Sequence, residues 1–162
     1  MMIQKLAATG RSPEIPEELD VYGWLVGSWE LDVIHYAVDV REHGIKGSAH
    51  FGWVLEGRAI EDVWIMRREG LVHTYGMTFR YYDHNAGAWR VTWTNPVTGR
   101  RDELLGRRVG DRIVQLGARA DGVAIRWIFS ELTPDSFRWT GEALNPDGTT
   151  WKLESEFHAR RM

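Results

Sequence analysis

The sequence predicts an all-β protein, an antiparallel up-and-down barrel of about ten strands with a short N-terminal helix or 3-10 turn plugging one end. Three observations lead there. From Trp29 onward, short runs alternate apolar and polar residues, and turn signals such as Glu56-Gly57, Asp83-His84-Asn85-Ala86-Gly87, Asp121-Gly122 and Asn145-Pro146-Asp147-Gly148 separate them. The runs leave little room for long helices, which argues against a parallel α/β sheet and leaves a sandwich as the competing arrangement. Nine tryptophans in 162 residues suit a sheet that fills its inner face with large β-favouring side chains, and closure hides the edge strands that so apolar a sheet would expose.

Residues 1–19 read as an N-terminal arm with a short helix, and residues 20–162 as a single barrel. Met1 to Arg11 carry little pattern and read as a loose arm. Pro16-Glu17-Glu18-Leu19 has the proline and acidic residues of a first helical turn, leading through Val21 and Trp24 to the strand. At Gly27-Ser28-Trp29 the chain bends into the sheet: Gly27 tolerates the tight backbone, and Trp29 lays a flat apolar surface across the closed end.

Trp29, Leu31, Val33, His35 and Ala37 then share one face of the first strand, which leaves Ile34, Tyr36 and Val38 on the other. The second strand runs through Ala49, Phe51, Trp53 and Leu55. The third sets Ile60, Asp62, Trp64 and Met66 against Glu61, Val63 and Ile65, with the Trp64 side taken as inward. In the fourth, His73, Tyr75, Met77, Phe79 and Tyr81 form the aromatic side; in the fifth, Trp89, Val91 and Trp93 share a face. Arg101 to Arg108 is the least patterned segment, and Gly110-Asp111 makes a hairpin of it with Arg112 to Arg119. Ile125, Trp127 and Phe129 follow, then Phe137 and Trp139. The last strand carries Trp151, Leu153, Ser155 and Phe157 together, and that parity brings Arg161 to the Trp29 face, where a guanidinium can stack on the indole.

The formal net charge of −3, with Arg and Lys interspersed among Asp and Glu, gives no electrostatic reason to expect nucleic acid or an anionic membrane as partner. No cysteine is present, which excludes disulfides and thiolate metal sites. Neither a signal-type apolar stretch nor a bilayer-length one is seen, so a cytoplasmic setting is the expectation. The six histidines never fall in a close metal-ligand spacing, and neither a phosphate loop nor a nucleophile elbow is present, so no metal or phosphate site is expected.

Gly27-Ser28-Trp29, Tyr81-Tyr82-Asp83, Phe137-Arg138-Trp139, Asp147-Gly148-Thr149-Thr150-Trp151 and Ala159-Arg160-Arg161 together resemble a bacterial family of uncharacterised calycin-type proteins with lipocalin-like barrels, over roughly residues 20 to 161. The resemblance implies an antiparallel barrel with an internal pocket and no particular activity. The chain is more distantly similar to the haem-binding nitrobindins, in which a histidine near the C-terminus ligates iron. The residue at issue here is His158, whose parity opposes Phe157 and turns it outward, so haem is not expected.

Three functions compete. A binding protein would hold a small, largely apolar molecule between Trp53, Trp64, Trp93, Trp127 and Trp139, with His35, His73 or Tyr75 as polar anchors. A cofactor-independent isomerase or lyase would exchange protons between His35 and Asp62, the latter with a pKa raised by desolvation; Asp62 paired simply with an arginine is the plainer alternative. An interaction module would pair two barrels as a homodimer through the strips Ile34, Tyr36, Val38, Val63 and Ile65. The binding protein is the preferred reading, with Gly27, Trp29 and Arg161 as its structural frame.

Overall fold

Alternating side chains make the strands, and a computed structural model shows how they close. It describes residues 1–68 and 71–162, without the side chains of 68 and 71–75. The strands are β1 (Gly27–Tyr36), β2 (Val38–Asp39), β3 (Lys46–Val54), β4 (Ala59–Arg68), β5 (Leu71–Asp83), β6 (Ala88–Asn95), β7 (Arg100–Val109), β8 (Arg112–Ala118), β9 (Ala124–Ser130), β10 (Ser136–Leu144) and β11 (Trp151–Arg161). From β3 to β11 each pairs antiparallel with the next, β3 pairs with β1, and β11 returns to β1. The result is a closed ten-stranded up-and-down barrel, with β2 a two-residue extension folded back on the end of β1.

Closure depends on the seam between β1 and β11. Trp29 and Arg161 are direct cross-strand partners there. The Arg161 guanidinium carbon lies 4.1 Å from the centroid of the Trp29 rings, and the indole is fully buried. Arg161 also donates from Nη1 to the Val26 carbonyl (3.0 Å), from Nη2 to that of Trp24 (2.7 Å) and from Nε to that of Pro134 (2.8 Å). One side chain thus ties the last strand to the segment entering the first and to the β9–β10 turn. Phe137 packs edge-on against Trp29 at 4.7 Å and against Trp24 at 5.7 Å.

The end above Trp29 is plugged as expected by short 3-10 turns, Glu17–Leu19 and Gly23–Leu25, with Tyr22 and Leu25 wholly buried. The polar edges of three large rings find acceptors there. Trp29 Nε1 donates to the Leu25 carbonyl (2.7 Å), Trp89 Nε1 to that of Leu19 (2.8 Å), and the Tyr22 hydroxyl to Gln115 Oε1 (3.0 Å). The arm before the plug is not loose. Met2–Leu6 is a short helix, and the chain after it pairs with the β3–β4 hairpin, Ala8 N–H donating to the Trp53 carbonyl (2.8 Å) and Ser12 N–H to that of Gly57 (2.9 Å). The backbone groups left over at that hairpin give the arm its partners.

Two bulges overturn part of the expected parity. On β1 the register passes from Val33–Phe157 to His35–Glu156, so Ile34 is an extra residue, His35 joins Glu156 on the outer face, and Tyr36 turns inward opposite Ser155. Tyr36 therefore leaves the outward strip expected of Ile34, Tyr36 and Val38. On β11 the register with β10 passes from Gly141–Ser155 to Glu142–Leu153 around an extra Glu154. Trp151 and Leu153 consequently face outward rather than sharing the side of Ser155 and Phe157, and Arg126 stacks on the Trp151 rings from outside at 4.3 Å. Between Phe157 and Arg161 no bulge intervenes, so the parity that brings Arg161 to Trp29 holds.

Gly27 has φ +128°, a backbone that disfavours any residue with a Cβ, and a Cβ there would lie 2.8 Å from Arg161 Nη1. Gly27→Ala should therefore lower unfolding stability by about 2–4 kcal/mol in urea titration. Gly10→Ala, where nothing lies within 4 Å, should change it by less than about 0.5 kcal/mol.

Candidate functional site

At the end of the barrel away from Trp29 the described inward side chains do not meet. They leave a cavity of about 370 Å³ whose lining includes Tyr36 and Ala37. Its wall is aromatic, built from Trp64 on β4, Trp93 on β6, Trp127 on β9, Trp139 on β10 and Phe157 on β11, with Met66 beside them. Trp139 and Phe157 stack with centroids 5.1 Å apart and planes 11° from parallel, and Trp139 also meets Trp127 at 5.6 Å and Trp64 at 5.9 Å. Two strand glycines make room for these rings. A Cβ on Gly76 would lie 2.4 Å from Trp93, and one on Gly141 2.8 Å from Trp139.

The floor is polar. Asp62 and Arg80 form an ion pair through Asp62 Oδ2 and Arg80 Nη1, with both side chains removed from bulk water, and Asp62 Oδ1 accepts the Thr78 backbone N–H at 2.9 Å. The Arg80 guanidinium lies 5.1 Å from the Tyr22 ring and 5.7 Å from that of Phe51, so it stands between the plug and the open space. Burial pushes the Tyr22 phenol well above its ordinary pKa, although the adjacent Arg80 cation pulls the other way. Its hydroxyl stays protonated as a donor to Gln115. At the rim, Arg100 Nε donates to the buried Asp102 at 2.7 Å and Arg119 pairs with Glu154. Asn95 Oδ1 caps the β6–β7 turn through the Val97 N–H at 3.0 Å.

Of the side chains singled out from the sequence, Trp64, Trp93, Trp127 and Trp139 converge on the cavity. Trp53 is buried but is not part of that wall. His35 lies outside, because of the bulge at Ile34, and is thereby separated by the sheet from Asp62. Both Asp62 oxygens are occupied by Arg80 and Thr78, the arrangement of a structural ion pair, and proton exchange between His35 and Asp62 has no geometry to support it. His73 and Tyr75 lie outside the described side chains; Met77 and Tyr81, also on β5, are exposed. His158 is on the outer face, its Nε2 2.8 Å from Glu156 Oε1. Among the described residues no three His, Asp or Glu side chains converge as a metal site, and no helix is long and apolar enough to cross a membrane.

Sequence reasoning missed Arg80, Thr78, Tyr36 and Glu154. Arg80 and Thr78 lie on the side of β5 with small and polar residues, which reads as solvent-facing. The available signal was Asp62: a carboxylate inside a barrel calls for a cation, and the strand paired beside it supplies Arg80 on the same side as Thr78, opposite Asp62. The barrel is compatible with a calycin-like fold. Compared with known proteins, the chain matches no protein family and no curated protein.

Breaking the floor pair from one side should be costly, since it strands a buried charge. Asp62→Asn should lower stability by about 3–5 kcal/mol, and the double variant Asp62→Leu/Arg80→Met should recover most of that loss in the same urea titration.

Proposed function

We propose that this chain is a calycin-type binding protein that holds one small, largely apolar molecule in the open half of its barrel. The observation that carries the reading is the cavity of about 370 Å³ bounded by Trp64, Trp93, Trp127 and Trp139. A barrel meant only to be stable gains by filling itself, because unfilled volume forfeits dispersion contacts along its lining. Here four indoles face open space with room for a ligand of two fused rings. The plugged far end makes the site blind, so a bound molecule loses most of its contact with water.

The reading excludes specific binding of ions as the main role, because each described charged side chain at the cavity has an opposite charge beside it. It also gives a direct optical readout, since the wall is made of the residues that dominate intrinsic fluorescence.

Titration with the neutral fluorophore N-phenyl-naphthylamine should quench tryptophan emission saturably at one molecule per chain. Ser155→Trp, which fills the cavity from β11, should weaken that binding about tenfold or more, a loss of about 1.4 kcal/mol or greater, with thermal unfolding still cooperative. Non-saturable quenching, or equal binding by the filled variant, would contradict the proposal.

A further inference from the structure

The polar end of the ligand can be read from the hydrogen-bonding inventory of the floor; the argument rests on the cavity being the binding site. Arg80 carries five N–H donors. Nη1 serves Asp62, the guanidinium also hydrogen-bonds the Tyr22 hydroxyl, and Nε is buried without a hydrogen-bond partner among the described residues. Asp62 is the opposite case. Both its oxygens are used and its side chain has no accessible surface, whereas Arg80 keeps 2% of its own and lines the cavity. The floor therefore offers a guanidinium with donors to spare and no accessible carboxylate.

Charge narrows the chemistry further. Asp62 neutralises Arg80, Asp102 faces Arg100, and Arg119 faces Glu154, so among the described residues lining the cavity no uncompensated cation awaits an anion. A carboxylate carried to the floor would give up its hydration and meet a guanidinium already neutralised. A hydrocarbon would leave the spare N–H groups as they are. A neutral oxygen acceptor engages a charged donor at a smaller desolvation cost.

We infer that the ligand is a neutral molecule with an aromatic or similarly flat apolar body and a single carbonyl-type acceptor at its inner end. The body lies among Trp64, Trp127 and Trp139, and the carbonyl oxygen accepts a hydrogen bond from Arg80.

Three shape-matched probes test this: methyl naphthyl ketone, its isopropenyl hydrocarbon analogue, and naphthoate, each titrated by tryptophan quenching. The native protein should bind the ketone about tenfold more tightly than naphthoate. In Asp62→Leu/Arg80→Met the affinity of the ketone relative to the hydrocarbon should fall about tenfold, with hydrocarbon binding retained. In the native complex the infrared carbonyl stretch of the ketone should shift to lower frequency than in hexane. Tightest binding of naphthoate, a ketone-to-hydrocarbon ratio unchanged in the double variant, or an unshifted carbonyl stretch would overturn the inference while leaving the cavity as a binding site. Failure of all three probes to bind would overturn both. Should the double variant not fold, the carbonyl stretch and the naphthoate comparison decide on the native protein alone.

Discussion

The contact between the Arg161 guanidinium and the Trp29 indole is the interaction on which the rest of the structure depends, because it sits where the barrel's last strand meets its first. Stacking of a half-buried cation on an indole is worth about 1–2 kcal/mol. Hydrogen bonds from a charged donor contribute about 1.5–3 kcal/mol each when their partners would otherwise be unpaired. Arg161 makes three, to the carbonyls of Trp24, Val26 and Pro134. The bonds therefore outweigh the stack in energy, and the stack fixes where they are made. A lysine could supply the charge but not three directed donors in one plane.

Sealing one end decides where space is left. Tyr22, Leu25 and Trp29 pack beneath the 3-10 turns, and Phe129 and Phe137 add their edges to the Trp24 and Tyr22 rings. Among the described residues, the inward side chains of the other half have no corresponding plug. Between the halves lies the Asp62–Arg80 pair, with Tyr22 on one side and the cavity on the other. Such a pair is a poor source of stability, since desolvation consumes most of its Coulomb gain. Its value is positional, as a polar floor held in one geometry within an apolar barrel.

Much of this was legible in the chain. Period-two alternation and turn signals yield an all-β barrel, and parity along an unbulged stretch of β11 places Arg161 opposite Trp29. Four of the cavity's indoles follow from the same count. The count fails where one extra residue enters a strand. Ile34 and Glu154 are ordinary strand residues with nothing in their chemistry to announce a bulge, yet they exchange His35 for Tyr36 and turn Trp151 outward. Arg80 was hidden differently. An arginine beside threonine and glycine on a strand reads as solvated, and only its relation to Asp62, fixed by the pairing of β4 with β5, reveals a buried counter-ion. Periodicity describes one strand at a time, whereas a bulge or an ion pair belongs to two.

A double-mutant cycle of Trp29→Leu and Arg161→Met, with stability read from urea unfolding of the four proteins, tests the closing contact most directly. If the indole and the guanidinium act as a unit, the two substitutions should couple by about 1–2 kcal/mol, the double variant losing less than the sum of the singles. Strict additivity, within about 0.3 kcal/mol, would mean that the tail merely lies beside the ring and that something else closes the barrel.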